Sequence, residues 1–352
     1  MSAVRHAAVG GQPAQRAERA SRQDAEGAPR TVIRGESIES TPDNGHAIID
    51  YLRFTFLPTH GITDALTQLA RYFKLWFPLP VSITSAGKGM FGYADTSDVS
   101  VWADGKLIRI AIIAVGGESA GGTVMVDMSG KGCGFVDDWK AVYATLQDLD
   151  ARITRVDTAL DLLEGFRIEQ FDDMYFAGEF NAGGRIPSRR YMEGGNSKDQ
   201  HANGRTLYLG KKANGKELCI YEKGKQLGNS ESEWLRIEIR FGCRDRVIPH
   251  TVLLDPTAYF AGGFVALETL VNSLALRIKT EQRDVAQMEY DEGMKHLLHH
   301  LMAAYGTTLY RLSLDMKFDY KALVDLVAVK GLPRRLEKPA VASSMIQAHA
   351  LA

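Results

Sequence analysis

The chain has 352 residues, 45% hydrophobic and 24% charged, which is enough for one large domain or two ordinary ones around a substantial core. Its 42 basic and 43 acidic residues leave a net charge of −1, which excludes a global positive field and restricts any nucleic-acid contact to local basic clusters. Cys133, Cys219 and Cys243 form no CxxC pair, no apolar run reaches the roughly eighteen residues of a membrane span, and no apolar segment follows the early basic residues; we expect a cytoplasmic protein without disulfides or membrane association.

Residues 1–44 are rich in Ala, Gly, Arg, Gln, Ser and Glu and nearly devoid of large apolar side chains, so they are expected to form a disordered leader. Folded structure should begin with a strand from Ile48 to Phe56, followed by a helix over Thr63–Phe73 with Thr63 as its cap. Several strands are expected between Phe91 and Val126, with a hairpin turn at Ala103–Lys106. Asp137–Leu149 has the spacing of an amphipathic helix and Ile168–Phe176 that of a second one, while Asn181–Asn203 reads as a long loop. Strands are expected at Arg205–Gly210, Glu217–Lys223 and Trp234–Arg240, spaced as in an antiparallel meander. After Pro249 the pattern turns helical, at Phe264–Ile278, Val285–Ala304 and Tyr320–Val329, before a basic tail around Arg334 and Arg335. The expected fold class is α+β: antiparallel sheets with helices on one side, two similar strand-helix-strand halves, and a helical C-terminal part. The corresponding domains are a catalytic one at 45–280 and a C-terminal region at 281–352.

Three segments carry the chemistry: Arg155–Asp161, Glu217–Lys223 and Trp234–Arg240. Side chains alternate between faces along a strand, so Val156, Leu160, Leu218, Ile220, Leu235, Ile237 and Ile239 can fill a core. Arg155, Asp157, Asp161, Tyr221, Lys223, Arg236 and Glu238 then face the other way. Asp157 and Asp161 share one strand face, and Glu238 can join them from another strand. Carboxylates converging in this way are hard oxygen ligands suited to Mg²⁺ or Mn²⁺, which polarises a phosphoryl oxygen; solvated or salt-bridged aspartates are the bland alternative.

Tyr221 would need a nearby metal or base to act as a nucleophile, and is otherwise a half-buried structural tyrosine. Lys223 can place positive charge on a phosphate. Glu222, next to Tyr221 in sequence, should face the opposite side and is not assigned as a ligand. Cys219 has no histidine partner and reads as packing. His296, His299 and His300 have helical metal-ligand spacing but read as solvated or packing residues; Gly87-Lys88-Gly89 and Lys211-Lys212 beside Gly210 could contact phosphates, but such a glycine-lysine cluster is more often a solvated turn.

At Thr154–Asp161, Thr206–Gly210, Ile220-Tyr221-Glu222-Lys223-Gly224-Lys225-Gln226 and Trp234–Glu238 the chain resembles the replication initiation factor family, over roughly residues 47–276. The Tyr-Glu-Lys-Gly-Lys-Gln wording and the Gly331–Leu336 tail are closer to its filamentous-phage branch than to its plasmid branch. The resemblance implies an enzyme that nicks and rejoins one strand at a rolling-circle origin through a covalent 5′-phosphotyrosine. Tyr221 matches the nucleophile and Asp157 and Glu238 the acidic metal positions; Asp161, Arg155, Lys223 and Arg236 match recurrent polar positions. Gln226 departs from the pattern, standing near a place where plasmid members carry an acid. Origin DNA, a host helicase with the replication machinery, and a second copy of the chain are the implied partners. A metal-dependent nuclease using water and a non-catalytic origin-binding protein are the alternatives.

Overall fold

The computed structural model describes residues 31–32, 47–103, 105–163, 165–194, 204–244, 246–275, 285–317 and 319–329, with Gly331, Pro333 and Leu336. The leader at 1–44 (apart from Thr31–Val32), part of the expected loop (195–203), the end of the Phe264–Ile278 helix and the basic residues Arg334 and Arg335 lie outside them.

Alternating apolar residues build one ten-stranded antiparallel sheet. In chain order, after the short β1 (Thr31–Val32), its strands are β2 (Ala47–Phe56), β3 (Val81–Ser85), β4 (Asp95–Ala103), β5 (Lys106–Val115), β6 (Val124–Met128), β7 (Arg152–Leu162), β8 (Arg189–Gly194), β9 (Gly204–Lys211), β10 (Lys216–Glu222) and β11 (Leu235–Gly242). β12 (Arg246–Val247) pairs in parallel with β1. The spatial order β3-β4-β5-β6-β2-β7-β11-β10-β9-β8 contains two copies of one path. In the first, β2 leads through helix α1 (Ile62–Trp76) into the meander β3 to β6, whose last strand returns beside β2. In the second, β7 leads through a helix at Ile168–Phe176 into the meander β8 to β11, whose last strand returns beside β7. The founding strands β2 and β7 pair at the centre, so the expected two halves form one continuous sheet.

The core lies on one sheet face. Leu52, Phe54, Val156, Leu160, Leu218, Ile220, Ile237 and Ile239 are buried there together with Leu69, Phe73 and Trp76 of α1. After the short α2 (Gly130–Cys133), α3 (Trp139–Asp148) starts at Asp138, whose side chain accepts from the Lys140 amide, an N-cap of the usual kind. The Ile168–Phe176 helix is α4; after the turn α5 (Lys223–Gln226) come α6 (Pro256–Ala261), α7 (Val265–Ala275), α8 (Val285–Asp315) and α9 (Tyr320–Val327). Phe171, Phe260, Leu267 and Val271 carry α4, α6 and α7 into the same core. Among the described residues, no helix is long and apolar enough to cross a membrane.

Three expectations are corrected. α1 begins at Ile62 behind Gly61, without a side-chain cap, so Thr63 lies inside the helix. The Asn181–Asn203 loop contains the edge strand β8, whose charged Arg-Arg-Tyr-Met-Glu sequence suits an edge and hides the alternation. Lys223 leaves the strand: β10 ends at Glu222 and Lys223 opens α5, so it does not continue the row of Cys219 and Tyr221.

Candidate active site on the open sheet face

The face opposite the helices carries polar side chains in register. One row runs Asp161, Arg236, Tyr221, Thr206 across β7, β11, β10 and β9; the next runs Ala159, Glu238, Cys219, Tyr208; a third runs Asp157, Arg240, Glu217, Gly210. The strand alternation that fills the core therefore delivers the tyrosine, the acids and the arginines to one place.

Tyr221 donates its hydroxyl hydrogen to Glu238 Oε1 at 2.7 Å. Burial, followed by the charge of Glu238, pushes the phenol far above its ordinary value, so Tyr221 is a protonated phenol beside an acceptor. Burial would also raise Glu238, but the hydrogen bond from Tyr221 and the charge of Arg240 outweigh it and hold the carboxyl below its usual range. Glu238 is thus ionised and already in contact with the proton it would have to take. Both residues line a cavity of about 250 Å³ with Thr206, Tyr208, Gln226 and Arg240.

Arg240 gathers the acids. It donates to Glu238 Oε2 at 2.9 Å and Glu217 Oε2 at 3.2 Å, and its Nε lies 3.7 Å from Asp157 Oδ2. Arg155 donates to Asp157 Oδ1 at 2.8 Å, and Arg190 to Glu217 Oε1 at 2.7 Å. Burial leaves the Asp157 carboxyl above its ordinary value even against the pull of Arg155.

Arg236 and Asp161 are engaged with each other. Arg236 donates twice to the Asp161 carboxylate, at 2.7 and 2.6 Å, and lies 3.3 Å from Asp50, while the Trp234 indole donates to Asp161 at 2.7 Å. Burial opposes the ionised form of Asp161, yet the charge and hydrogen bonds of Arg236 hold its carboxyl below the ordinary value. Arg236 is 1% exposed, so this is a buried ion pair bordering Tyr221. Lys223 contributes positive charge that also favours the Asp161 carboxylate.

The metal expectation can be tested on this donor set. Asp157 and Glu238 do approach one another, but the Arg240 guanidinium occupies the space a cation would need, and Asp161 is committed to Arg236 and Trp234. Among the described residues no group of three or more His, Cys, Asp or Glu side chains is placed to hold an ion. In this arrangement the residues do not fit a resident Mg²⁺ or Mn²⁺.

The residues flanking Tyr221 hold the strand end in place. The Glu222 carboxylate accepts from the Arg205 amide at 2.7 Å, from the Arg205 guanidinium at 2.7 and 3.0 Å, and from Lys225 at 3.0 Å, clamping the end of β10 to β9 and α5. Gly224 has Ser232 and Trp234 so close that a Cβ would collide with the Ser232 side chain. Cys219, pushed up to about 12 mainly by burial, is a packing thiol.

Sequence reasoning missed Arg240, Glu217, Asp50 and Arg205. Arg240 and Glu217 carried a signal, since each shares the alternation phase of Glu238 or Tyr221. Asp50 did not, because it sits at a register shift in β2 between Ile49 and Tyr51.

Residues 151–310 match the family model of replication initiation factors. The matched span opens at β7, so it takes in the second half of the sheet with Tyr221, Glu238 and Arg240, and it bears out the resemblance seen in the motifs. Among solved structures, a rolling circle replication initiator protein from Geobacillus stearothermophilus is similar at 19% identity and a TM-score of 0.45, over 68% of this chain and 88% of that one. No curated protein matches.

Proposed function

We propose that this protein is a replication initiation factor that nicks and rejoins one strand of DNA at a rolling-circle origin, with Tyr221 as the nucleophile. The observation that carries the reading is the 2.7 Å hydrogen bond from the Tyr221 phenol to the ionised Glu238 in a cavity open to the strand face. The match of residues 151–310 to the family supports it.

In the forward step the phenol proton passes to Glu238 Oε1 as the phenol oxygen bonds to phosphorus. The bond from phosphorus to the 3′ oxygen breaks, the departing oxygen takes up a proton from water to become a 3′ hydroxyl, and Glu238 then gives its proton back to solvent, so that no net proton is gained or lost. The new phosphotyrosine keeps the energy of the broken linkage, so a 3′ hydroxyl can later reverse the step without ATP. Arg240 and Arg205 both border the same cavity and are charged donors that can meet the phosphate oxygens.

The test is a covalent adduct assay with the full chain on a supercoiled origin plasmid, resolved on denaturing gels with and without chelator. An adduct in wild type that Tyr221→Phe abolishes is expected. A Phe variant that still forms it removes Tyr221 from this role, and cleavage without adduct points to a nuclease using water. The chelator arms measure the divalent-ion requirement separately. Recruitment of a host helicase and pairing with a second copy extend the same proposal and are read by pull-down and by sedimentation.

A further inference from the structure

On the open face, Arg155, Arg190, Arg236 and Arg240 each meet a carboxylate. The other end of the β9–β10 hairpin is different. A cavity of about 800 Å³ there is lined by Arg185, Lys211, Lys216, Arg246, Asn214 and Phe264 among others, and among the described residues its lining contains no Asp or Glu.

The four cations are brought together by the fold. Lys211 and Lys216 are direct cross-strand partners, an arrangement of like charges that ordinarily destabilises a sheet. Lys216 donates to the Gly263 carbonyl at 2.7 Å and lies 3.9 Å from the Phe264 ring centre. Burial, with the nearby charge of Arg246, lowers its ammonium from 10.5 to about 8, the sign expected of a cation short of counter-charge. Among the described residues Arg246 reaches the Asn214 carbonyl, at 3.5 Å, and its buried Nε has no hydrogen-bond partner. Four cationic side chains thus converge on one cavity, an arrangement that favours an anionic ligand.

We infer that the pocket binds phosphate groups of the DNA backbone, away from the phosphate that reacts. The inference rests on the reading of the protein as a DNA-acting initiator, and the pocket's chemistry selects the ligand: several convergent cations, no acid among the described lining residues, and a volume that admits a phosphate with its sugar. Lys216 lies five residues from Tyr221 on β10, about 17 Å along the strand, and its side chain has the opposite alternation phase. The two sites therefore hold different phosphates of one substrate. Contacts of this kind set the position of the duplex and carry no sequence information.

The test is binding of a duplex oligonucleotide to the full chain, followed by fluorescence anisotropy across a salt series. For Lys211→Gln with Arg246→Gln we expect affinity at low salt to fall at least tenfold. The slope of log affinity against log salt should become shallower by about 2, near 0.9 for each phosphate no longer neutralised. Arg185→Gln, an exposed position, should lower the slope by about 1 and guards against a folding defect in the double variant. Tyr221→Phe should keep the whole slope. An unchanged slope in variants that melt like wild type overturns the inference. Pyrophosphate binding that the double variant loses, with DNA binding untouched, overturns the backbone as the source of the phosphate. If wild type forms no adduct while the slope still falls, the nicking reading fails and the pocket stands; adduct with an unchanged slope is the converse.

Discussion

The two halves of the sheet follow the same path and use it differently. In each, the last strand of the meander returns with an acid that accepts from a tyrosine hydroxyl: Asp127 on β6 from Tyr51, and Glu238 on β11 from Tyr221. In the first half the Tyr51 hydroxyl also accepts from Arg53 at 2.7 Å, and the Arg155 guanidinium lies 3.9 Å over the ring. That phenol is saturated. In the second half the tyrosine comes from the neighbouring strand β10, its hydroxyl meets Glu238, and both line a cavity. A shared architecture thus places acid and phenol together twice, while space and an uncommitted phenol oxygen distinguish a site that can react from one that holds the sheet's centre.

The sharpest way to break this comparison is to remove each hydroxyl. Tyr221→Phe should eliminate the covalent DNA adduct outright, and Tyr51→Phe should leave its yield within a few-fold of wild type on the same gels. If Tyr51→Phe abolishes the adduct and Tyr221→Phe does not, the halves have been assigned the wrong way round. Removing the acceptors comes next: Glu238→Gln should slow adduct formation by about 10²–10⁴, the usual worth of general-base assistance, whereas Asp127→Asn should change it little. Because Glu238 is held below its usual range, the adduct rate should stay flat as pH falls from 7 and decline only in the acid. Arg240→Gln, which removes one cause of that depression, should move the acid limb to higher pH. Quenched-flow rates at a series of pH values measure both.

Breaking the buried pair beside Tyr221 should cost stability as well as activity. Arg236→Gln leaves Asp161 buried with the Trp234 indole and the charge of Lys223 but without its bidentate partner, at a cost of about 3–5 kcal/mol, measured as a loss of urea-unfolding free energy. Replacing both, Arg236→Met with Asp161→Leu, should recover part of that loss, because it removes the uncompensated Asp161 charge, although Asp50 loses its contact with Arg236 and the Trp234 indole its acceptor.

Much of this was legible in the sequence. Strict alternation in β7, β10 and β11 determines which residues face the core, and Val156, Leu160, Leu218, Ile220, Leu235, Ile237 and Ile239 are all buried. It also puts Asp157, Tyr221 and Glu238 on the other face. What alternation does not encode is which opposite charges pair: Asp161 and Glu238 have equal claims as ligands by phase, and only cross-strand register gives Asp161 to Arg236 and sets Arg240 among Glu238, Glu217 and Asp157. The edge strand β8 was invisible because its outward residues are as polar as a loop. Lys223 was misplaced because strand termination depends on the Gly224 approach to Ser232, a tertiary contact.

The smallest effect separates the site from its frame. Glu222 stands next to Tyr221 but binds Arg205 and Lys225, and those partners bring its carboxyl from 4.5 down to about 2 against the effect of burial. A carboxyl depressed on folding contributes stability above its unfolded value and loses it on acidification. The contribution of Glu222 should therefore be complete above about pH 4.5 and disappear as pH falls toward 2. Glu222→Gln should lower the urea midpoint at pH 7, and the gap to wild type should close across that acid window. A gap that persists below it would assign the loss to packing at the end of β10 and not to the charge of the clamp. At pH 7 the variant should still form the adduct, more slowly in proportion to how far the loosened strand end lets the Tyr221 hydroxyl drift from Glu238, so the Tyr221 rate becomes a direct gauge of how rigidly β9 and α5 hold β10.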